Sequence, residues 1–125
     1  MTKHPILEKP SPRYREEFLA AVAQSRKLHR EWASPPRTEK QFFESLKRLQ
    51  SRSHIGYWVR TEDGQLAGVI NINEIVRGRF CSGYLGYYAL VPYNGRGYMK
   101  RGLRAVISKA FGKHKLHRLE ANIQP

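Results

Sequence analysis

Cysteine, acidic side chains and long apolar runs are all scarce in this chain of 125 residues. The single cysteine, Cys81, has no partner for an intramolecular disulfide, which excludes a disulfide-stabilised secreted scaffold and favours a cytoplasmic protein. The longest apolar run is far shorter than the roughly 20 residues that a transmembrane helix needs. The first 17 residues contain no apolar core of a secretion signal. We therefore expect a single domain over residues 1–125, without membrane association.

Basic side chains are abundant, since 23 Lys and Arg face only 10 Asp and Glu, for a net charge of +13. Such a surface attracts nucleic acid, phosphorylated cofactors or acidic lipid. No zinc-ligand spacing and no aromatic RNA-binding run accompanies the charge, so a bias of composition explains it equally well. An RNA- or ribosome-associated basic module stays open as one interpretation.

The spacing of apolar residues predicts helices first and strands later. A Ser-Pro pair starts the first helix, and Thr38 with Gln41 forms a capping box for the second. The predicted elements are an edge strand at 5–9, helices at 11–33 and 38–50, strands at 55–60, 66–75 and 83–91, a helix at 98–111 and a strand at 116–123. A strand–helix–strand crossover makes its two strands parallel. The expected fold class is α+β, with a mixed α/β sheet.

Several apolar side chains are expected to face the core. They are Tyr14, Phe18, Val22, Leu28 and Trp32 in the first helix; Phe42, Phe43, Leu46 and Leu49 in the second; and Leu103, Val106, Ile107 and Ala110 in the last helix. In the second long strand, alternation places Leu66, Gly68, Ile70, Ile72 and Glu74 on one side.

The stretch YNGRGYMKRGL, residues 93–103, joins a predicted strand to a predicted helix. Glycines at 95 and 97 permit positive φ and close approach of a ligand, and the first N–H groups of a helix lack intrahelical partners. With Arg96 and Lys100 these groups favour phosphate or pyrophosphate. The alternative is a plain turn in which the glycines only relieve strain. No P-loop or dinucleotide-binding glycine pattern is present.

The segment Asn94-Gly95-Arg96-Gly97-Tyr98-Met99 resembles the acetyl-CoA pyrophosphate loop of the GNAT acetyltransferase superfamily. The flanking GVININEIVRGRFCSGYLGYYALVPY and KLHRLEANIQP are similar to the subgroup that acetylates ribosomal-protein N-termini on alanine or serine. The resemblance spans roughly residues 55–125. It implies a GNAT-like acyl-CoA N-acyltransferase fold.

Four features depart from that pattern. Asn94 replaces a Gln or Arg, Met99 replaces a Gly or Ala, and Arg101 stands where the subgroup often has Glu. The sequence also stops at Pro125, before the last helix and strands of the superfamily. We therefore expect a C-terminally incomplete domain whose fifth strand has an exposed edge.

The resemblance implies acetyl-CoA as co-substrate and a primary amine as acceptor, here a ribosomal-protein N-terminus, by direct transfer without an acyl-enzyme. It implies that the acetyl carbonyl meets a backbone N–H of Leu90 or Val91. The other expected cofactor-binding residues are Asn94, Gly95, Arg96, Gly97, Tyr98, Met99 and Lys100.

A general base is less well defined by the sequence, because GYLGYYALV contains no carboxylate. Glu74 is the first choice and Glu120 the second, with a solvated strand-end charge as the alternative for Glu74. No metal site is expected. An inactive CoA-binding remnant is the other functional alternative.

Overall fold

A five-stranded mixed sheet in the order β1-β2-β3-β4-β5 organises the fold. The computed structural model describes residues 6–30 and 33–121. The strands are β1 Ile6–Glu8, β2 Ile55–Arg60, β3 Leu66–Val76, β4 Ser82–Ala89 and β5 Arg118–Ala121. The helices are α1 Arg15–Gln24, α2 Arg26–His29, α3 Glu39–Leu49 and α4 Tyr98–Phe111, with a 3-10 turn at Pro12–Tyr14 before α1.

Local sequence signals explain most of these boundaries. The Thr38 hydroxyl accepts a hydrogen bond from the N–H of Gln41 at 3.1 Å and caps α3. The Thr61 hydroxyl accepts from two backbone N–H groups of the tight turn between β2 and β3, where Gly64 has a φ of 84°. The connection through α4 makes β4 and β5 parallel, while the other three pairs are antiparallel. The predicted mixed sheet is confirmed.

The sheet buries both of its faces. The core between this sheet and α4 consists of Tyr57, Val59, Ala67, Ile70, Ile72, Ile75, Val106, Ala110 and Leu116. The face covered by α1 and α3 contains Phe18, Val22, Phe42, Leu46, Trp58, Leu66, Val69 and Leu90. Three layers result, with helices on either side of one sheet.

The first helix is shorter and less regular than the prediction. It breaks at Ser25, whose hydroxyl donates to the carbonyl of Ala21 at 2.8 Å and accepts from the N–H of Val91 at 3.0 Å. The helix resumes as α2 and stops at Arg30, which has a φ of 46°. Leu28 is exposed rather than buried, and Trp32 lies outside the described residues.

Three further predictions of side-chain position, made from helical period or strand alternation, are wrong. Phe43 and Ile107 are exposed, because each lies at the border of its helix's apolar stripe. Leu66 packs on the α1/α3 face, opposite Ile70, because one extra residue between it and Gly68 forms a bulge against β2. A bulge therefore reverses the face of a residue that strict alternation assigns to the other side.

β4 extends beyond the ladder that it forms with the described residues of β5. β4 ends at Ala89, before Leu90 and the cis Val91–Pro92 bond, rather than at Val91. The parallel ladder runs from Ser82↔Arg118 to Leu85↔Ala121. Within the residues that the structure describes, β4 from residue 86 onward therefore has a strand neighbour only on the β3 side.

Candidate active site

The glycine loop, residues 94–100, lies directly after the open end of β4. Gly95 and Gly97 have φ angles of 75° and 84°, a region that favours glycine over any residue with a side chain. Gly97 is the N-cap of α4 and offers no side-chain cap. The first N–H groups of α4 consequently point outward without an intrahelical partner. This is the arrangement that binds phosphate groups at helix starts.

Two tyrosines support the glycine loop. The rings of Tyr93 and Tyr98 meet edge to face with centroids 6.0 Å apart. The guanidinium of Arg96 lies 6.0 Å from the Tyr93 ring, and that of Arg101 lies 4.9 Å from the Tyr98 ring. The Tyr98 hydroxyl donates to the carboxylate of Glu62 at 3.2 Å. Arg96 in the loop and Arg101 in α4 thus each lie over one ring of a contacting tyrosine pair.

The remaining predicted loop residues divide by exposure. Asn94, Arg96 and Lys100 are exposed. The Met99 side chain instead packs over Gly68 of β3, so closely that a Cβ there would meet its sulfur. Met99 can therefore contribute to an anion site only through its backbone N–H.

The two amides expected to meet an acetyl group already have partners in this structure. The N–H of Leu90 donates to the carbonyl of Ala67 at 2.9 Å, and that of Val91 donates to Ser25 Oγ. Because backbone groups alternate in direction along a strand, the N–H of Tyr87 points away from β3. It lies beyond Leu85, the last β4 residue in the ladder with β5.

The imidazole of His29 also lies at this edge, which sequence reasoning did not indicate. Its Nε2 lies 2.7 Å from the carbonyl oxygen of Ala89. Since a carbonyl only accepts, Nε2 is the donor in this hydrogen bond. The other ring nitrogen, Nδ1, is buried and has no hydrogen-bond partner among the described residues. The ring meets Tyr88 edge to face at 5.1 Å. Contacts of Ser25 and His29 thus dock α1 and α2 on the end of β4.

The two candidate bases lie away from the glycine loop. Glu74 is exposed in a bulge of β3 with a φ of 51°. Gly68 pairs with Ala89 near the loop, and Glu74 is six residues farther along β3, about 20 Å at the rise of a strand. Glu120 lies opposite Tyr84, ten residues before the loop in sequence, and forms an ion pair with the exposed Arg118 at 3.1 Å. The structure therefore does not bring either carboxylate to the glycine loop.

A cavity of about 500 Å³ opens on the α1/α3 face of the sheet. Its walls include Trp58, Val69, Asn71, Asn73 and Tyr88. Burial raises the pKa of Tyr88, so its phenol stays neutral.

Asn71 lies in the floor of that cavity between two glycines, Gly56 of β2 and Gly86 of β4. Its Oδ1 is buried, and none of residues 6–30 and 33–121 donates a hydrogen bond to it. An unpaired buried carbonyl oxygen is unfavourable, so this amide is available to a donor that enters the cavity.

Membrane-spanning helices and metal-ligand clusters are absent from residues 6–30 and 33–121. No helix there is long and apolar enough to cross a membrane. No group of three or more His, Cys, Asp or Glu side chains there could hold a metal ion.

Comparison with known families gives one match over nearly the whole chain. A model of the family described as Acetyltransferase (GNAT) domain matches residues 5–125. Within the sequence relatives, YjcK of Bacillus subtilis (strain 168), named a probable N-acetyltransferase, is 35% identical over 72 residues, which are 58% of this chain and 39% of that protein.

A second relative is the [ribosomal protein uS5]-alanine N-acetyltransferase of Escherichia coli (strain K12). It is 34% identical over 64 residues, 51% of this chain and 33% of that enzyme. The matched segments thus span well under half the length of these two curated relatives. In fold, the chain is similar to Mycobacterium smegmatis RimJ in complex with CoA-disulfide, with a TM-score of 0.81 and 19% identity over 95% of this chain and 62% of that one.

Proposed function

The chain belongs to the GNAT acetyltransferase family, and we propose that it transfers an acetyl group from acetyl-CoA to a primary amine. The observation that carries the proposal is the left-handed, uncapped start of α4 beside the open edge of β4. The start of α4 provides a site for a pyrophosphate, and the edge of β4 provides backbone groups for an extended pantetheine arm.

We assign the pyrophosphate to the glycine loop. Its oxygens accept hydrogen bonds from the first N–H groups of α4 and from the loop, with charge supplied by Arg96 and Lys100. Asn94 is too short to add a charged contact. The RimJ structure named above is a complex with a CoA derivative, which supports the cofactor class for this fold.

We assign the pantetheine arm to the edge of β4 that β5 leaves open, where it would pair as an added strand does. Leu90 and Val91 stay predicted donors to the acetyl carbonyl, but each would first have to release its internal acceptor. The N–H of Tyr87 points away from β3, and within residues 6–30 and 33–121 it has no strand partner, so it needs no such release.

The acceptor amine enters from the cavity on the α1/α3 face. Its nitrogen loses a proton, attacks the thioester carbonyl and forms a tetrahedral oxyanion that a β4 N–H stabilises. The C–S bond then breaks, and the CoA thiolate takes up a proton. The role of Glu74 as general base stays a prediction. An unchanged kcat in a Glu74→Gln variant would contradict that role.

For the acceptor we propose a protein N-terminus that begins with alanine or serine. The support is the name of the E. coli relative, together with a cavity that a short peptide end would fit. A net charge of +13 would suit work near ribosomal RNA in the cytoplasm.

The first test is calorimetric titration of acetyl-CoA into the chain and into two glycine variants. Gly97→Glu places a side chain and a negative charge in the loop, and we expect at least a 30-fold loss of affinity. Gly78→Glu is the matched control, since Gly78 has the same φ of 84° and nothing within 4 Å of a Cβ. Binding by Gly97→Glu equal to that of the unchanged chain contradicts the site.

A second candidate function is an inactive protein that binds CoA. The internal hydrogen bonds of Leu90 and Val91 favour it, because two expected donors to the acetyl group have other partners. Incubation with acetyl-CoA and peptides that start with alanine or serine separates the two. Mass spectrometry detects the acetylated peptide. If the chain binds acetyl-CoA and no acetylated peptide forms, the result supports an inactive protein that binds CoA.

A further inference from the structure

We propose that Arg101 is a direct ligand of the cofactor pyrophosphate, a role that rests on the proposed function of the glycine loop. Arg101 lies outside the loop sequence, one helical turn into α4. Three observations support the proposal: where its guanidinium lies, what holds it there, and which partners it lacks.

The guanidinium lies over the start of the helix. Side chains of an α-helix lean towards its N-terminus, so a long side chain four residues after the N-cap reaches back to it. Here a Cβ built on Gly97 would lie 2.9 Å from Arg101 Nη1. Gly97 therefore leaves room for this guanidinium as well as allowing the left-handed φ. A charge at that point adjoins the N–H groups assigned to the pyrophosphate.

The guanidinium is held there without a ligand. It stacks on the Tyr98 ring at 4.9 Å, and Tyr98 is itself fixed by its hydrogen bond to Glu62 and its edge contact with Tyr93. A side chain that is already ordered loses little conformational freedom when it binds. The stacking therefore prepares Arg101 for a contact rather than replacing one.

Within residues 6–30 and 33–121, no carboxylate forms an ion pair with the guanidinium. Its Nε is buried and has no hydrogen-bond partner in that part of the chain. The ion pairs found among the described residues involve Arg15, Arg60 and Arg118, but not Arg101. A planar guanidinium with unsatisfied donors matches the oxygens of a phosphate better than a lysine does.

The test compares two ligands, CoA and 3′-dephospho-CoA, by calorimetry with the unchanged chain, Arg101→Gln and Lys109→Gln. Lys109 is the control, because it lies in the last turn of the same helix and its replacement changes the charge equally. We expect Arg101→Gln to weaken both ligands about tenfold, as the loss of a charged hydrogen bond does. The affinity of the Lys109→Gln control for each ligand should stay within about twofold of that of the unchanged chain.

Two further readouts separate a ligand from a structural residue. The dependence of affinity on salt should become shallower in Arg101→Gln, since one charge contact is lost. The melting temperature without ligand should stay unchanged, and Arg101→Lys should recover part of the affinity because it restores the charge without the planar donors.

Each other outcome has a separate meaning. If the unchanged chain is folded and binds neither ligand, the proposed function of the glycine loop is wrong. If it binds and Arg101→Gln binds equally well, Arg101 is not a ligand, and the loop assignment stands. If the loss occurs with CoA but not with 3′-dephospho-CoA, Arg101 contacts the 3′-phosphate, which overturns the pyrophosphate assignment.

Discussion

Two arginines of this protein stack on tyrosine rings at nearly the same distance, yet their surroundings differ. Arg60, at the end of β2, lies 4.8 Å from the Tyr14 ring and is 6% exposed. It donates to Glu8 at 3.1 Å and to Glu17 at 2.8 and 3.0 Å. Hydrogen bonds to Glu17 raise the pKa of Arg60 most, with further contributions from Glu8. We call this group of Arg60, Glu8 and Glu17 the Arg60 corner.

Arg101 at the glycine loop has the stacking without the carboxylates. The Arg60 corner joins β1, β2 and α1 and leaves its guanidinium no room for a ligand. The glycine loop keeps an ordered guanidinium beside free N–H groups. The difference indicates that an aromatic face orders an arginine in either setting, while the presence or absence of acidic partners decides whether it stabilises the fold or remains available for binding.

The largest expected effect comes from replacing each of the two arginines with methionine. Arg60→Met leaves two carboxylates without their cation, and we expect the free energy of unfolding to fall by about 3 kcal/mol. Arg101→Met should change it by no more than about 0.5 kcal/mol. Urea unfolding followed by circular dichroism measures both. A similar loss in the two variants would mean that Arg101 is a structural residue.

A pair of glycines in β4 extends the comparison from charge to packing. Gly83 lies where β4 pairs with β5, and a Cβ there would meet Ile72 Cγ2 at 2.8 Å. We expect Gly83→Ala to lower the free energy of unfolding by about 2 kcal/mol through overpacking. Gly86 lies beyond the ladder, where a Cβ meets only the Asn73 amide at 3.3 Å. We expect Gly86→Ala to change stability by less than about 0.5 kcal/mol.

Peptide kinetics on the same glycine pair then test the cavity. Gly86→Ala narrows its floor, so KM for the acceptor peptide should rise while the affinity for acetyl-CoA stays constant. An unchanged KM would place the acceptor elsewhere. Equal destabilisation by the two alanine variants would show that β4 is packed evenly along its length.

The smallest expected effect is a pH dependence of stability from a titratable group on the α4 face of the sheet. His114 Nε2 lies 2.7 Å from the Tyr57 hydroxyl. Burial lowers the pKa of His114, and the nearby positive charge of Lys9 lowers it further. Because this pKa is below the unfolded value of about 6.5, the neutral form adds stability above that pH, and the contribution is lost as the pH falls.

The matched variant for His114 is His114→Gln, which keeps polar atoms but does not titrate. The difference in unfolding free energy between the unchanged chain and this variant should shrink between pH 8 and pH 5. A difference that is constant over this range would show that His114 has the same pKa in the folded and unfolded chain.

Much of the fold was predictable from local patterns. The bounds of β2 and α4 were predicted to the residue, because alternation and a helical period each continue over several positions. Thr38 as a cap and the glycine positions also followed from local chemistry. Apolar spacing predicted neither the side taken by Leu66 nor the break at Ser25. The first depends on a bulge in the pairing with β2, and the second on Val91, far along the chain.

The sequence by itself determined the local geometry that marks the site. Two glycines before a helix allow the left-handed turn, and that turn leaves N–H groups free within a few residues of each other. The tertiary structure alone decided which charges are neutralised. Glu17 reaches Arg60 across 43 residues of sequence, while no carboxylate of the described residues forms an ion pair with Arg101. Local sterics act between neighbours along the chain, whereas the pairing of charges depends on which distant segments the packed sheet brings together.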